Sequence, residues 1–151
     1  MKAVIQRVKS ASVKIAGETV GEIGQGFLVL LGIENDDTQE DADYIVKKTV
    51  GLRVFSDEAD KMNLSVSEID GEILLVSQFT LIADTRKGNR PSFIGAMSPD
   101  KSEPFFQSII ADFKAAYPKI ETGRFGADMA VSLINDGPVT ICLDSHIRRK
   151  E

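Results

Sequence analysis

Apolar, β-branched residues separated by short turns dominate the first part of this chain, which predicts β-strands. Residues 3–15 are rich in Val, Ile and Ser, residues 16–18 form a turn, and residues 19–23 continue the pattern, so a β-hairpin is expected. Residues 27–33 are apolar at every position but one, which is typical of a strand with both faces buried. The chain is therefore predicted to begin with three strands.

Two later segments have the spacing of amphipathic helices. The first begins at Thr38, with Asp41 three residues on as a capping partner, and ends at Gly51. The second opens at Ser98-Pro99, with proline at the first helical position, and ends at Pro118. The residues predicted to share a buried face are Ala42, Ile45, Val46 and Thr49 in the first helix, and Phe105, Ile109, Phe113 and Tyr117 in the second.

Further strands are predicted at residues 52–55, 72–81, 127–134 and 139–143. Asp70-Gly71, a favoured hairpin dipeptide, leads into the second of these. Residues 135–138, Asn-Asp-Gly-Pro, are predicted to form a hairpin turn between the last two, and the isomer of the Gly-Pro bond stays open. The expected fold is a single α+β domain, with two main helices against a curved antiparallel or mixed sheet that forms a partial barrel.

The strand predicted at residues 72–81 ends in a row of polar and aromatic groups. Side chains alternate across a strand, so Ser77 and Phe79 are expected on one face, and Gln78 and Thr80 on the other. A loop rich in polar residues and helix breakers, residues 83–93, leaves the same end, and such loops often carry functional groups. This junction is the candidate site, although an ordinary strand end made of good β-formers is the alternative.

Length and composition fit one domain, since 151 residues with 42% hydrophobic content can bury a sufficient core. The chain has no apolar run near eighteen residues, and its first residues lack a signal-peptide layout, so a soluble intracellular protein is expected. The single cysteine, Cys142, lies in an apolar run and is predicted to be a buried thiol.

The formal net charge of -5 argues against broad electrostatic capture of nucleic acid. Acidic residues concentrate between positions 34 and 43, whereas Arg86, Lys87 and Arg90 form a basic cluster just after the central strand. A local contact of this cluster with nucleic acid is one interpretation, and a solvated surface is the other.

Several catalytic arrangements are excluded by the residues available. The only histidine, His146, lies in a polar tail, and with one cysteine the chain cannot build a zinc site, so no triad, metal or cofactor is expected. Ser77, Gln78 and Thr80 can donate hydrogen bonds but cannot act as strong bases. Such a site can stabilise an oxyanion and position water, which suffices for a carboxylic ester that has a neighbouring hydroxyl group.

Taken together and in this order, the segments resemble those of the D-aminoacyl-tRNA deacylase family. The most specific are residues 77–81 (Ser-Gln-Phe-Thr-Leu) and 135–140 (Asn-Asp-Gly-Pro-Val-Thr), and residues 5–8, 83–93 and 123–129 support them. The resemblance covers residues 1–145, which we interpret as the catalytic domain. Residues 146–151 are a basic C-terminal tail that is expected to be flexible.

The resemblance implies a homodimer in which Gly137 and Pro138 of one subunit enter the pocket of the other. A cis bond there would direct parallel carbonyl groups at the substrate's α-amino group and exclude L side chains. The resemblance assigns Ser77, Gln78, Phe79 and Thr80 to the reaction centre, with backbone N–H groups near Phe79 and Thr80 as oxyanion donors; Phe125 and Met129 to the wall around the terminal adenosine; and Arg7 to the support of the Gly-Pro loop.

The function implied is hydrolysis of D-aminoacyl-tRNA in the cytoplasm, which releases the D-amino acid and tRNA and proofreads chirality in translation. Glycyl-tRNA should also be cleaved, because glycine has no side chain to exclude.

Either Thr80 or the 2′-hydroxyl of the terminal ribose could promote the attack, and the lack of a base beside Thr80 favours the ribose. Weak tRNA contacts are expected from Arg86, Lys87 and Arg90, and no membrane contact. The alternative is a non-catalytic RNA-binding module.

Overall fold

A strongly curved mixed sheet forms the centre of the protein, in a computed structural model that describes residues 1–148 of the 151. Its strands are β1 (Lys2–Ile15), β2 (Glu18–Ile23), β3 (Gly26–Gly32), β6 (Glu72–Ser77), β7 (Ile120–Thr122) and β8 (Ala130–Asp144), and a separate pair consists of β4 (Phe55–Ser56) and β5 (Met62–Leu64). The helices are α1 (Gln39–Gly51) and α2 (Pro99–Ala116), and 3₁₀ helices cover Phe79–Ile82 and Ser145–Ile147.

The strand order in the sheet is β2-β1-β3-β6-β7, and β8 pairs with the other edge of β1. β1 is antiparallel to β2, β3 and β8, whereas β6 is parallel to β3 and β7. The two ends of this order nearly meet, because Gly21 in β2 lies against Thr122 in β7: a Cβ atom at Gly21 would be 2.6 Å from the Thr122 carbonyl oxygen. The predicted α+β fold, with two helices and a sheet that is almost a barrel, is confirmed.

The core lies on both faces of the central strands. One layer packs the helices against the sheet, through Phe27, Ile45, Ile73, Phe106 and Phe113 among others. A second layer fills the inside of the curved sheet; its buried residues are Val8, Ala11, Val13, Ile23, Leu28, Leu74 and Val76. Both faces of β3 are therefore buried, as its uniformly apolar sequence predicts.

Both helices begin where the sequence predicts. Thr38 is the N-cap of α1, and its backbone N–H donates to Asp41 Oδ2 at 2.8 Å. Ser98 is the N-cap of α2, with Pro99 as the first helical residue. The predicted buried face of α2 is confirmed at Ile109, Phe113 and Tyr117, whereas Phe105 is only half-buried and Phe106 beside it is buried.

The prediction of a hairpin at residues 135–138 is wrong. β8 continues through this segment as one strand, because β1 is long enough to pair with both of its halves: Gln6 pairs with Thr140, and Val8 with Asn135. Residues 136–139 consequently bulge out opposite Arg7. The Gly137–Pro138 bond in this bulge is cis, and Gly137 has a φ of 126°, which favours glycine.

Four smaller predictions also differ from the structure. The strand beginning at residue 72 ends at Ser77 rather than at residue 81, since the chain turns into a 3₁₀ helix. Asp70-Gly71 makes no hairpin, because β6 pairs in parallel with its neighbours, and the strand predicted at residues 52–55 is limited to β4. Cys142 is exposed, because Ile141 and Leu143 beside it in the edge strand β8 point to the core instead.

The end of the described chain is bound to the start of α1. His146 Nε2 lies 2.8 Å from Asp37 Oδ1 and 3.1 Å from Glu34 Oε2, and Arg148 Nη1 donates to Asp41 Oδ1 at 2.9 Å. Residues 149–151 of the tail lie outside the described residues, so the predicted flexibility of the tail stays a prediction. No helix within residues 1–148 is both long and apolar enough to cross a bilayer.

This contact predicts a pH-dependent stability. Burial lowers the pKa of His146, but the hydrogen bond to Asp37 and the nearby carboxylate charges raise it, and the net shift is upward from 6.5. The contribution to stability is therefore complete below about pH 6.5 and is lost as the pH rises through the folded-state pKa. We expect His146→Gln to lower the free energy of unfolding by about 0.5 kcal/mol at pH 5.5 and by less at pH 9, in urea titrations. An equal loss at both pH values would contradict this assignment.

Candidate active site

A cavity of about 560 Å³ opens at the carboxyl end of β6. Three parts of the chain surround it: the end of β6, the loop before α2 with the first turns of that helix, and the segment before β8. The residues that line the cavity include Ser77, Gln78 and Phe79 from the first part; Phe93, Ser102 and Phe106 from the second; and Phe125, Asp128 and Met129 from the third. Much of the wall is therefore aromatic or aliphatic, with a few polar groups among the lining residues, which is typical of small-molecule sites.

The end of β6 gives this cavity its hydrogen-bond donors. Gln78 leaves the strand, with its backbone N–H still bound to the Leu31 carbonyl oxygen at 2.7 Å, and a 3₁₀ helix follows. The first N–H groups of a helix have no partner within it. Accordingly, the Phe79 and Thr80 N–H groups have no backbone acceptor within residues 1–148. These two donors are available to a bound molecule.

The side chains of Gln78 and Thr80 lie together, although not by strand alternation. Gln78 Nε2 donates to Thr80 Oγ1 at 2.5 Å, and the 3₁₀ turn brings them into contact. An amide N–H can donate a proton but cannot accept one, so Gln78 cannot act as a base toward the Thr80 hydroxyl. Thr80 is exposed and lies beside the cavity rather than among the residues that line it.

Two aromatic pairs form the walls. Phe79 is 58% exposed and contacts Phe93 edge to face, with ring centroids 5.2 Å apart. Phe106 and Phe125 lie deeper, with centroids 6.0 Å apart and planes inclined by 43°. Met129 lines the cavity near Phe125, so the two residues predicted from the resemblance are both present in the cavity. A planar, largely apolar ring would fit such surroundings.

The loop that carries Arg86, Lys87 and Arg90 is stabilised by an ion pair within the loop. Arg86 donates to Asp84 from Nε at 2.9 Å and from Nη2 at 2.7 Å, and this pairing lowers the pKa of Asp84 to about 2. Asp84 and Ser92 also exchange backbone hydrogen bonds at 2.7 and 2.9 Å, which closes the loop. Arg86 therefore has a structural partner, while Lys87 and Arg90 are exposed.

Gly137, Pro138 and Arg7 are not brought to this cavity within residues 1–148. Arg7 Nε donates to the Asp136 carbonyl oxygen at 3.0 Å, and Arg7 Nη1 donates to the Val54 carbonyl oxygen at 2.6 Å. Arg7 thus braces the bulge, while Gly137 and Pro138 are exposed on the outside of β8. Within one chain, the segments at residues 77–81 and 135–140, which carry the family resemblance, are therefore not brought together at the cavity.

Sequence reasoning missed Ser102, Phe93 and Asp128 as lining residues. Ser102 is detectable in principle, because it is one turn before Phe106 on the apolar stripe of α2, where a polar residue is out of pattern. Phe93 and Asp128 lie in irregular segments, for which periodicity carries no signal. Asp128 is the one ionisable side chain among the lining residues, and it is exposed.

One group in the described residues has the spacing of metal ligands. Ligand atoms of Glu34, Asp37 and His146 lie within 4.8 Å of one another. However, the ammonium group of Met1 lies 2.8 Å from Glu34 Oε2 and 2.7 Å from Asp37 Oδ1, and also donates to Ser145 Oγ at 2.9 Å. Since this cation already neutralises the carboxylates, we interpret the group as a buried ion-pair network.

A nearly closed mixed sheet, with two backbone N–H groups that have no backbone acceptor in residues 1–148 beside an aromatic cavity, defines this chain as an α+β protein with a candidate small-molecule site. The chain belongs to the family described as D-Tyr-tRNA(Tyr) deacylase, whose model matches residues 4–144. It is 52% identical over 145 residues to a D-aminoacyl-tRNA deacylase of Clostridium novyi (strain NT), and the match covers 96% of this chain and 97% of that protein.

Two solved structures are also similar. One, named c-Myc DNA Unwinding Element Binding Protein, has a TM-score of 0.91 and 47% identity, and the match covers 95% of this chain and 98% of that one. The other is described as a probable eukaryotic D-amino acid tRNA deacylase; its TM-score is 0.84 at 15% identity, with 94% and 97% of the two chains covered. The second likeness is one of fold alone.

Proposed function

We propose that this protein hydrolyses the ester bond between a D-amino acid and the terminal adenosine of tRNA. The observation that carries the proposal is a pair of backbone N–H groups without backbone acceptors in residues 1–148, one on Phe79, which lines the cavity, and one on Thr80, which lies beside it. Such donors stabilise the negative charge that develops on a carbonyl oxygen during attack by water. Membership of the deacylase family supports the substrate class.

The 2′-hydroxyl of the terminal ribose, rather than Thr80, promotes the attack. Water adds to the ester carbon, the bond from that carbon to the ribose oxygen breaks, and the leaving oxygen takes up a proton; the products are the amino acid and tRNA. Thr80 Oγ1 accepts a hydrogen bond from Gln78, which cannot remove the hydroxyl proton. The vicinal ribose hydroxyl lies next to the reacting ester by covalent structure and needs no protein base.

The working form is a homodimer in which the bulge on β8 of one subunit completes the cavity of the other. β8 is an edge strand whose second edge has no partner in residues 1–148, and it exposes Leu133 (37%) and Ile134 (58%). Unpaired edges with exposed apolar residues favour association with another chain. Gly137 and Pro138, exposed on this surface, then bind the α-amino group and exclude L side chains.

The remaining parts of the substrate have places in the same arrangement. The terminal adenine ring lies between Phe125 and Met129, and exposed Lys87 and Arg90 contact the tRNA backbone weakly. Arg86 contributes less to that contact, because Asp84 pairs with it. Since tRNA is charged in the cytoplasm, the enzyme acts there in translation quality control.

The proposal is tested by incubating the purified protein with D-tyrosyl-, L-tyrosyl- and glycyl-tRNA in parallel. Release of the amino acid is expected from the D-tyrosyl substrate and, to a measurable extent, from glycyl-tRNA, because glycine has no side chain to clash. L-Tyrosyl-tRNA should be cleaved at the uncatalysed rate. Equal cleavage of both tyrosyl substrates would rule out chiral selection, and indifference to glycyl-tRNA would show that recognition is not by exclusion alone.

A non-catalytic nucleic-acid-binding module is the other candidate. One similar structure has a name that refers to DNA binding. The net charge of -5 and the pairing of Arg86 with Asp84 do not favour a broad nucleic-acid surface in this chain. A protein that binds tRNA but releases no amino acid from any of the three substrates would support the module.

A further inference from the structure

The hydroxyl group of Ser102 is a buried polar group that the description of the reaction leaves unused. Ser102 is 6% exposed and lines the cavity from the first turns of α2. Its backbone N–H donates to the Ser98 carbonyl oxygen at 2.8 Å, but its hydroxyl group makes no hydrogen bond to another residue within residues 1–148. By contrast, Ser108 on the same helix donates its hydroxyl proton to the Phe105 carbonyl oxygen at 2.6 Å.

This oxygen faces the cavity rather than a sealed part of the core. Every side-chain nitrogen or oxygen that is closed to solvent in residues 1–148 has a hydrogen-bond partner. The unpaired Ser102 oxygen is therefore accessible, and the cavity is the space that the residue lines. A nearly enclosed hydroxyl with no protein partner can hydrogen-bond only what occupies the cavity, which is solvent in the free protein and a bound molecule in a complex.

The surroundings of Ser102 suggest which kind of group it binds. Phe106 lies one turn further along α2 on the same side, and the Phe125 ring packs 6.0 Å from it. Met129 completes this apolar wall. Apolar walls accommodate a planar ring without fixing its orientation in the plane, whereas one hydroxyl that can both donate and accept can select an edge of a heteroaromatic ring.

We infer that the Ser102 hydroxyl is a specificity-determining group that hydrogen-bonds an edge of the purine base of the substrate's terminal nucleoside. The inference rests on the proposed function, which places that base between Phe125 and Met129. Ring nitrogens of adenine can accept the hydroxyl proton, and the 6-amino group can donate to the hydroxyl oxygen. Ser102 thus orients the base, while the donors at Phe79 and Thr80 act on the ester.

Ser102→Ala distinguishes a contact to the base from a structural role through two measurements, the KM and the melting temperature. The KM for D-tyrosyl-tRNA should rise about three- to tenfold, with kcat within about twofold, because a contact to the base is the same in the ground and transition states. The melting temperature should stay the same, since the hydroxyl has no hydrogen bond within the protein to lose. A hydroxyl that only supports the helix would give a lower melting temperature and an unchanged KM.

Ser108→Ala is the matched control, because it removes a hydroxyl from the same helix outside the cavity. It should leave KM unchanged. The edge that Ser102 binds is identified with D-tyrosyl esters of adenosine, of purine riboside and of the 1-, 3- and 7-deaza analogues of adenosine; each analogue lacks either the 6-amino group or one ring nitrogen. With the unsubstituted protein, one analogue should be cleaved about three- to tenfold less efficiently than the adenosine ester, and Ser102→Ala should abolish that difference.

Two results would overturn these conclusions separately. If Ser102→Ala keeps the KM and the analogue preference of the unsubstituted protein, the assignment of Ser102 is wrong and the deacylase function stands. If the unsubstituted protein cleaves no D-aminoacyl ester, the proposed function itself fails, and so does the role of Ser102 that rests on it.

Discussion

Gly137→Ala is expected to lower kcat/KM for D-aminoacyl-tRNA by about a hundredfold. The φ angle of 126° is one that L side chains rarely adopt, and an added Cβ would lie 3.0 Å from Val139 Cγ2 and 3.1 Å from a terminal nitrogen of Arg7. The added Cβ is strained by the backbone conformation and crowds both side chains, so we expect the bulge to shift, and Pro138 with it. Because the proposed recognition depends on the position of this bulge inside the partner's cavity, a displacement of about 1 Å is enough to disturb it.

The control for backbone strain is Gly17→Ala in the turn between β1 and β2. Gly17 also has a positive φ, of 81°, but a Cβ atom there meets nothing within 4 Å. This substitution should cost about 1 kcal/mol of stability and leave deacylation unchanged. Full activity in a folded, dimeric Gly137→Ala protein would contradict the proposed role of the bulge.

A substrate whose tRNA ends in 2′-deoxyadenosine should be hydrolysed at least about a hundredfold more slowly than the natural D-aminoacyl-tRNA. Phe79 in the cavity and Thr80 beside it provide backbone donors, and the one ionisable lining residue, Asp128, is exposed, so we expect the ribose hydroxyl to assist the attack. Single-turnover rates with the amino acid on the 3′-oxygen of both tRNAs would measure the effect.

Thr80→Ala distinguishes this scheme from covalent catalysis. Loss of the hydrogen bond from Gln78 should slow the reaction only about five- to tenfold, because the backbone N–H of residue 80 is retained. The opposite pattern, with no turnover by Thr80→Ala and normal cleavage of the deoxy substrate, would make Thr80 the nucleophile.

Several elements could be predicted because their signals are local. The cap at Thr38, the proline that opens α2, and the uniformly apolar β3 depend on neighbouring residues and on periodic burial, and the structure confirms each. The polar row at Ser77–Thr80 was also recognisable, although its alternation was wrong, because a 3₁₀ turn replaces the strand there.

The sequence by itself thus determined the α+β class, the two helices and the polar segment at residues 77–80. Helix caps, periodic burial and a long sequence motif can be recognised from the order of the residues along the chain. Tertiary structure alone decided that residues 130–144 form one strand, because that depends on the length of β1, a distant partner. It likewise decided that Cys142 is exposed and that Ser102 lines the cavity, because burial is set by which elements pack together in space.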